Sequence, residues 1–532
     1  MARSCIPCSY NIVFDYVGPL TMTNIELAIF IKRVEAICHE MGLVLRQAAF
    51  STNIKDRLDF SCALFDSQGA LFAQAAHIPV HLGSMAFALR DVVGSVSWCE
   101  GDLLIFNDPF LGGTHLPDVT FISPFFSDHG ILGFVVNRAH HANIGSISPG
   151  SMPISRALEE EGEIIPPTFL VREGKINEVL LERLTKIGGS AAKGDFAAQR
   201  SANDIGLNRL SDLVKTIGLE RFQIGIEQVN AYGSRLALAA LSTIPKGRFS
   251  FGDVIDDDGQ GTLDLAIRCY VDISSKCLAI NFEGTTAQVA GNVNCPLPVT
   301  AAAAFYVFRC LLPEYTPSCA GVFQHLRISA PEGSLVNATR PAAVAAGNVE
   351  TSMRIVDAIL GALHQALPEE IPAASQGTMN NIAMGNHRSK QPWDYYETIG
   401  GGCGAHPLGE GVSAVQSHMT NTLNTPIESF ESHYPVRVKS YAIRHGSGGS
   451  GKYDGGDGLV RELVFLEETE VTLLTDRRNH RPWGLEGGLS GLPGINSLDG
   501  RILPAKCQIS VKPGQVLRIE TPGGGGFGLS NE

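Results

Sequence analysis

The sequence contains no apolar run long enough to cross a bilayer. Its most apolar long stretch, from Val299 to Leu312, is broken by Arg309 well short of the ~20 residues a membrane helix needs. A concentrated basic stretch is missing too, and the balance of 41 basic against 54 acidic residues leaves a net charge of -13, which argues against a nucleic-acid partner. The N-terminus has one early basic residue but no apolar block or small-residue cleavage site before Asp15, so a cytoplasmic chain is expected. The twelve cysteines are scattered, as reduced and mostly buried thiols would be. Only Cys5 and Cys8 form a C-x-x-C, and no second pair follows at zinc-ribbon spacing. A G-x-S-x-G elbow is also lacking, which removes the anchor of a serine-hydrolase reading.

With 44% hydrophobic and 18% charged residues, a chain of 532 has ample material for buried cores, and its length suggests more than one domain. Apolar residues recur at helical spacing from Thr23 to Leu45 (Leu27, Phe30, Ile31, Val34, Cys38, Met41), with Asn24 as an expected cap and Gly42 weakening the end. From Ser51 to Val136 the pattern changes to short apolar runs punctuated by Gly, Pro, Asn and Asp, which reads as a sheet with loops between its strands. Helices are expected at 196–217 and 221–241, joined at Gly218, with a break at Pro245-Lys246-Gly247. Beyond it come strands and turns around an apolar helix near 301–312, then an amphipathic helix from Glu350 to Leu367. From residue 400 onward lie 25 of the 58 glycines, interleaved with strand-like runs, so a turn-dense β region is expected there. The fold class read from this is mixed α/β (α+β), multi-layered, with a Gly-rich, β-dominated C-terminal region. The expected division is an N-terminal α+β domain at 1–245 carrying the site, a mixed middle domain at 246–345, and a helix followed by the Gly-rich domain at 346–532.

The segment from Asn107 to Asp118, NDPFLGGTHLPD, is the richest in chemistry. Gly112-Gly113 permits a tight turn, and Pro117 stiffens the chain between an imidazole and a carboxylate. Twenty-five residues past His115, a strand-like run from Ile131 ends in Asn137-Arg138-Ala139-His140-His141. A hairpin would bring both segments to one end of a sheet, with Asp108 and Asp118 near the histidines. Imidazole and carboxylate together suit Zn, Mn or Fe with room left for water or substrate. Adjacent histidines on a strand point apart, so at most one of His140 and His141 faces such an ion. Asp59, between Leu58 and Phe60, would point opposite to both on a strand, toward a site or into turn duty. Asn348, Glu350 and Thr351 open the later helix, where capping by Asn348 or Thr351 is favoured over substrate binding. Gly446 to Lys452 matches G-x-x-x-x-G-K. However, Tyr453 replaces the magnesium-binding Ser or Thr, and Asp454-Gly455-Gly456-Asp457-Gly458 cannot open the helix a phosphate loop requires.

Several stretches together resemble one family, the B-type chains of ATP-dependent hydantoinases, which are similar to the C-terminal half of 5-oxoprolinase and to acetone carboxylase α subunits. They are STNIKDRLDFSCALFD from Ser51, AHIPVHLGSM from Ala76, NDPFLGGTHLPD, HHANIGSISPGSMP from His140, GDFAAQRSAN from Gly194, GNVETSMRIVD from Gly347, SHMTNTLNTPIE from Ser417 and SGGSGKYDGGDGLVRE from Ser447. The resemblance implies a divalent metal held by Asp59, His115, Asp118 and His140. It also implies a hydantoinase A-type partner that takes ATP and phosphorylates the amide oxygen of a small cyclic amide, in a hetero-oligomer. His141 or Asp108 would relay the proton. Family members commonly read HHADIGG where this chain has Asn143 and Ser146, a change that leaves the implied ligands untouched and bears on substrate identity. A ketone carboxylase component and a non-catalytic scaffold are the competing expectations.

Overall fold

The computed structural model describes residues 21–75 and 77–530. Cys5 and Cys8 lie outside the described residues. Helix α1 (Asn24–Ala48) buries Leu27, Phe30, Ile31, Val34, Cys38 and Met41 along one stripe, as the spacing predicts. Its cap is Thr23 rather than Asn24. The Thr23 hydroxyl accepts the Glu26 amide (3.3 Å) while the Glu26 carboxylate accepts the Thr23 amide (2.8 Å), so both early donors are satisfied by a reciprocal box. Gly42 does not end the helix. It sits where a Cβ would meet the His77 ring at 2.8 Å, so its small size serves packing.

A short helix, α2 (Thr52–Lys55), leads into a seven-stranded antiparallel sheet: β1 (Phe60–Asp66), β2 (Leu71–Gln74), β3 (Leu103–Phe106), β4 (Asp118–Ser127), β5 (Gly130–His140), β6 (Thr168–Arg172) and β7 (Lys175–Ile176), in the order β2-β1-β5-β4-β3-β6-β7. Side chains alternate across it with period two. On β1, Cys62 and Leu64 join the core beneath α1, and Ala63 and Phe65 join the core beneath α3 (Pro79–Gly94) on the other face. The face shared with α1 is also covered by α4 (Glu178–Ile217), and α5 (Leu219–Thr243) follows it. α4 starts 18 residues earlier than the expected 196, because it runs on through a non-helical break at Gly189.

Helix α3 packs on α6 (Leu297–Cys310), where Gly83 lies so close to Ala302 that a Cβ would fall 2.5 Å from its Cα. Past the short α7 (Ala320–Phe323), α8 (Ser352–His364) is buried along its whole length. It lies between α6 and a second sheet of β8 (Gly247–Asp257), β9 (Leu263–Ile273), β10 (Leu278–Asn281) and β11 (Leu326–Ser329). The layers therefore run sheet, α3, α6, α8, sheet, and the largest apolar core draws on residues from Leu27 to Leu474.

The C-terminal region holds two further sheets. One orders β13 (Trp393–Glu397), β12 (Asn381–Asn386), β16 (Thr469–Leu474) and β19 (Lys506–Val511). The other, preceded by α9 (Ile427–His433), orders β14 (Val436–Arg444), β15 (Gly458–Phe465), β20 (Val516–Glu520), β17 (Ile495–Leu498) and β18 (Arg501–Leu503). Between them glycine segments pack backbone to backbone. A Cβ on Gly402, Gly448, Gly455 or Gly524 would come within 2.1 Å of a carbonyl oxygen of a neighbouring segment. Glycine is required here by close approach, and the architecture is the mixed α/β, multi-layered one expected, β-rich at its C-terminus.

Candidate functional site

The β4–β5 hairpin builds the site. Its register pairs Asp118 directly with His140, and β1 lies on the other side of β5 with Phe60 opposite Ala139. That pairing places Asp59 beside His140, whose amide donates to the Asp59 carbonyl (3.0 Å). Upstream, Gly112 takes φ +105°, and a Cβ on Gly113 would fall 2.3 Å from the Asn107 carbonyl oxygen. This tight turn, anticipated from the sequence, swings His115 back over the end of β4.

Three side chains converge there. One ligand atom each from His115, Asp118 and His140 lies within 4.8 Å of the others, and all three residues are buried. His115 Nε2 is 3.2 Å from Asp118 Oδ2, and His140 Nδ1 is 3.1 Å from Asp118 Oδ1. Asp118 Oδ2 also accepts the Thr114 hydroxyl at 2.5 Å. Asp59 is outside this triple, but its carboxylate lines the same small cavity, which has free space of about 20 Å³. That is room for a bound ion, in a cavity that is partly open rather than sealed.

The protonation logic favours a cation. His115 Nδ1 lies 3.3 Å from the Ala345 carbonyl, which only accepts, so Nδ1 carries the hydrogen. In the neutral ring the Nε2 lone pair then faces a carboxylate oxygen, a repulsive contact unless a positive charge lies between them. Burial disfavours protonation of His115, yet the Asp118 charge beside it outweighs that and raises its pKa. Burial opposes ionisation of Asp118 as well, but His115 and His81 hold it well below the usual carboxylate range. His140 is lowered by burial, and neither His115 Nε2 nor His140 Nε2 has a hydrogen-bond partner among the described residues. Orphaned imidazole nitrogens around a buried carboxylate are a donor set that fits a divalent ion.

The surroundings hold this geometry. Glu161 accepts the Val344 and Ala345 amides at 2.8 and 2.9 Å, fixing the peptide that orients His115, and burial pushes its own carboxyl up to about 7. The Tyr396 ring stacks on His140 at 4.7 Å, and the Arg57 guanidinium lies over that same ring, also at 4.7 Å. Arg57 stands 3.8 Å from Asp59.

The other two residues named from the sequence are not brought into the group. His141 turns to the opposite face of the hairpin, where Nε2 meets Gln199 Oε1 (2.9 Å) and the ring stacks on Phe196 (4.4 Å). Asp108 caps the turn Pro109–Leu111 and pairs with Arg340. Thr351 stands at the N-cap position of α8, but neither it nor Asn348 makes a side-chain capping bond there. A π-helical turn at Gly347–Thr351 precedes that helix, Thr351 bonds the Val293 carbonyl, and Asn348 lines the cavity with its Oδ1 unpartnered among the described residues. His81 was not singled out from the sequence. From the first turn of α3 its Nε2 lies 3.2 Å from Asp118 Oδ2 and 3.8 Å from Asp59 Oδ1, and its position inside AHIPVHLGSM was the available signal. In the Gly446–Lys452 segment, the Gly446, Ser447 and Gly448 amides that a phosphate would use are taken by Asp457 (3.2, 2.8 and 2.9 Å).

This architecture and sequence have relatives. The chain is 39% identical to 5-oxoprolinase 1 of Arabidopsis thaliana over 537 residues, covering 95% of the chain and 42% of the plant protein, so it spans about two fifths of that relative's length. It is 29% identical to a putative B-type component of the D-/L-hydantoinase of Pseudomonas sp. strain NS671, covering 95% of the chain and 90% of that component. Its fold is similar to that of the ATP-dependent caprolactamase from Pseudomonas jessenii, with a TM-score of 0.88, 26% identity, and coverage of 96% of this chain and 91% of that one. Residues 23–530 match the family described as Hydantoinase B/oxoprolinase, and the chain belongs to that family.

Proposed function

We propose that this chain is the metal-binding hydrolytic component of an ATP-dependent cyclic amide hydrolase, acting on an intermediate activated by a separate ATP-binding partner. The observation that carries the reading is the convergence of His115, Asp118 and His140 with unpartnered imidazole nitrogens in a small, partly open cavity with room for an ion. Asp59, His115, Asp118 and His140 would hold a divalent ion, Zn, Mn or Fe. When bound, such an ion supplies Lewis acidity and can lower the pKa of a water from 15.7 to about 7.

The chain's own residues do the rest. Ala345 and Glu161 keep His115 in the tautomer that offers Nε2. Tyr396 fixes the plane of His140, and Thr114 and His81 orient Asp118. An amide resists attack because of its resonance, and phosphorylation of its oxygen removes that protection. A separate partner is supported by the match to 90% of a protein named as one component of a hydantoinase, against 42% of the longer plant 5-oxoprolinase.

The test is ring opening of 5-oxoproline or hydantoin by the chain together with its ATP-binding partner. Product formation should track ATP hydrolysis and stop on chelation or in His115→Gln. Ring opening by this chain alone without ATP would overturn the proposal, as would ATP turnover that depends on bicarbonate and a ketone.

A further inference from the structure

Three threonines, Thr398, Thr420 and Thr422, line the same cavity as the imidazoles, and their hydroxyls run back to the fully buried Arg57. Counting donors and lone pairs gives this chain of hydroxyls a direction. Arg57 Nη2 has two hydrogens, and it lies 3.3 Å from both Thr398 Oγ1 and Thr422 Oγ1, one hydrogen for each. Gln416 Nε2 lies 3.2 Å from Thr398 Oγ1 and 3.3 Å from the Thr398 carbonyl oxygen. A carbonyl only accepts, so the Gln416 atom at that position is its nitrogen.

Thr398 Oγ1 therefore receives two N–H bonds, and both its lone pairs are used. Its own hydrogen goes to Thr422 Oγ1 at 2.7 Å. Thr422 Oγ1, now accepting from Arg57 and Thr398, passes its hydrogen to Thr420 Oγ1 at 3.4 Å. Thr420 ends the line. It is 4% exposed, and its hydroxyl hydrogen is left with no protein acceptor among the described residues.

We propose that Thr420 presents a buried O–H donor to whatever occupies the cavity, polarised through Thr422 and Thr398 by Arg57, and that the site thereby selects a ligand with an oxygen acceptor at this point. The inference rests on the metal-site reading above and adds a specificity-determining residue to it. A hydroxyl held in this way is a standing donor for a carboxylate, carbonyl or tetrahedral oxygen, and a ligand lacking that oxygen would leave it unsatisfied.

The test uses the full chain loaded with cobalt(II), with formate as the oxygen-bearing probe and the visible spectrum as the readout. Cobalt affinity is measured first, by competition with a chelating dye, and should be the same in wild type, Thr420→Val and Thr420→Ser. Formate affinity should fall about tenfold in Thr420→Val, equivalent to 1.4 kcal/mol, and stay within about threefold of wild type in Thr420→Ser, which keeps the hydroxyl. Should valine disturb packing and cobalt uptake, Thr420→Ala gives a second hydroxyl deletion with the same expectation. Normal cobalt uptake with unchanged formate affinity in the hydroxyl-free variants would overturn the assignment of Thr420 alone. A wild-type chain that takes up no cobalt would overturn the metal reading and this inference with it.

Discussion

Arg354, Arg477 and Lys506 meet Asp253, Asp357 and Asp476 in a buried network between α8, β8 and the C-terminal sheets, whereas Asp59, Asp118 and three histidines meet at the end of the β4–β5 hairpin with a single guanidinium, Arg57, near Asp59. In the first cluster every charge has a partner: Arg354 reaches Asp253 (3.2 Å) and Asp476 (2.6 Å), Arg477 reaches Asp253 (2.8 Å) and Asp357 (2.6 Å), and Lys506 reaches Asp476 (2.8 Å). Asp476 is held at about 2 despite burial because Lys506 and Arg354 stabilise its charge. In the second, Nε2 of His115 and of His140 has no hydrogen-bond partner among the described residues, and Arg57 stands 3.8 Å from Asp59. Both are buried and polar, so burial alone does not distinguish a scaffold from a site. Charge pairing does: a network in which every guanidinium and ammonium meets a carboxylate holds sheets together, and one in which imidazole nitrogens gather round a carboxylate can take a cation.

Breaking the closed cluster should have the largest effect on stability. Arg354→Met leaves Asp253 and Asp476 short of a countercharge in the interior, and the expected loss is about 3–5 kcal/mol, read as a lower denaturation midpoint or as insoluble expression. Next comes Glu350, at the edge of this cluster, whose carboxyl is pushed up to about 8 by burial and then by the Asp476 charge. With its folded-state pKa above its unfolded value of about 4.5, the folded chain keeps a proton that the unfolded chain releases. Stability from this group is therefore full below pH ~4.5 and is lost as pH rises toward 8, by an amount on the order of 5 kcal/mol at most. Glu350→Gln should flatten that stretch of the pH–stability curve, and an unchanged slope would show that Glu350 does not titrate there.

The open cluster should respond to a ligand instead. Zinc or manganese at a hundredfold excess over its Kd should stabilise the wild-type chain by about 2.7 kcal/mol, measured by denaturant titration with and without chelator. His115→Gln should abolish that increment while leaving the metal-free stability close to wild type. The same excess of metal should leave the deficit of Arg354→Met unrepaired, since the two clusters fail for different reasons.

What the sequence disclosed of this contrast follows from distance along the chain. The hairpin that pairs Asp118 with His140 was legible because a strand-like run, a tight turn and two chemistry-bearing ends lie within 25 residues. The rule that adjacent strand residues face apart left at most one of His140 and His141 facing an ion, and their side chains lie on opposite faces of the hairpin. His81, Arg57, Thr398 and Thr420 were not legible as a group. His81, Thr398 and Thr420 reach the cavity only through the packing of α3 on α6 and through a segment more than 250 residues downstream of the hairpin, which no local periodicity encodes, and Arg57 acts through those threonines without lining the cavity itself. The cap at Asn24 was misplaced for a local reason, since Thr23 closes a reciprocal box one residue earlier; of the two alternatives for α8, a π-helical turn takes up Asn348 and leaves Thr351 at the N-cap position without a side-chain capping bond.

Tyr396 joins the two regions and offers the finest separation of them. Its ring stacks on His140, while its hydroxyl donates to Asn381 Oδ1 (2.6 Å), and Asn381 Nδ2 in turn donates to Glu350 (3.1 Å). Tyr396→Phe keeps the ring and removes the hydroxyl, leaving Asn381 Oδ1 without that donor, so a loss of about 1 kcal/mol of stability is expected. Metal affinity should not change, because the stack on His140 survives. Tyr396→Leu removes both, and should lower metal affinity as well as stability. If the phenylalanine variant weakened metal binding as much as the leucine variant, the hydroxyl would be transmitting to the histidine, and the two clusters would have to be treated as one coupled network.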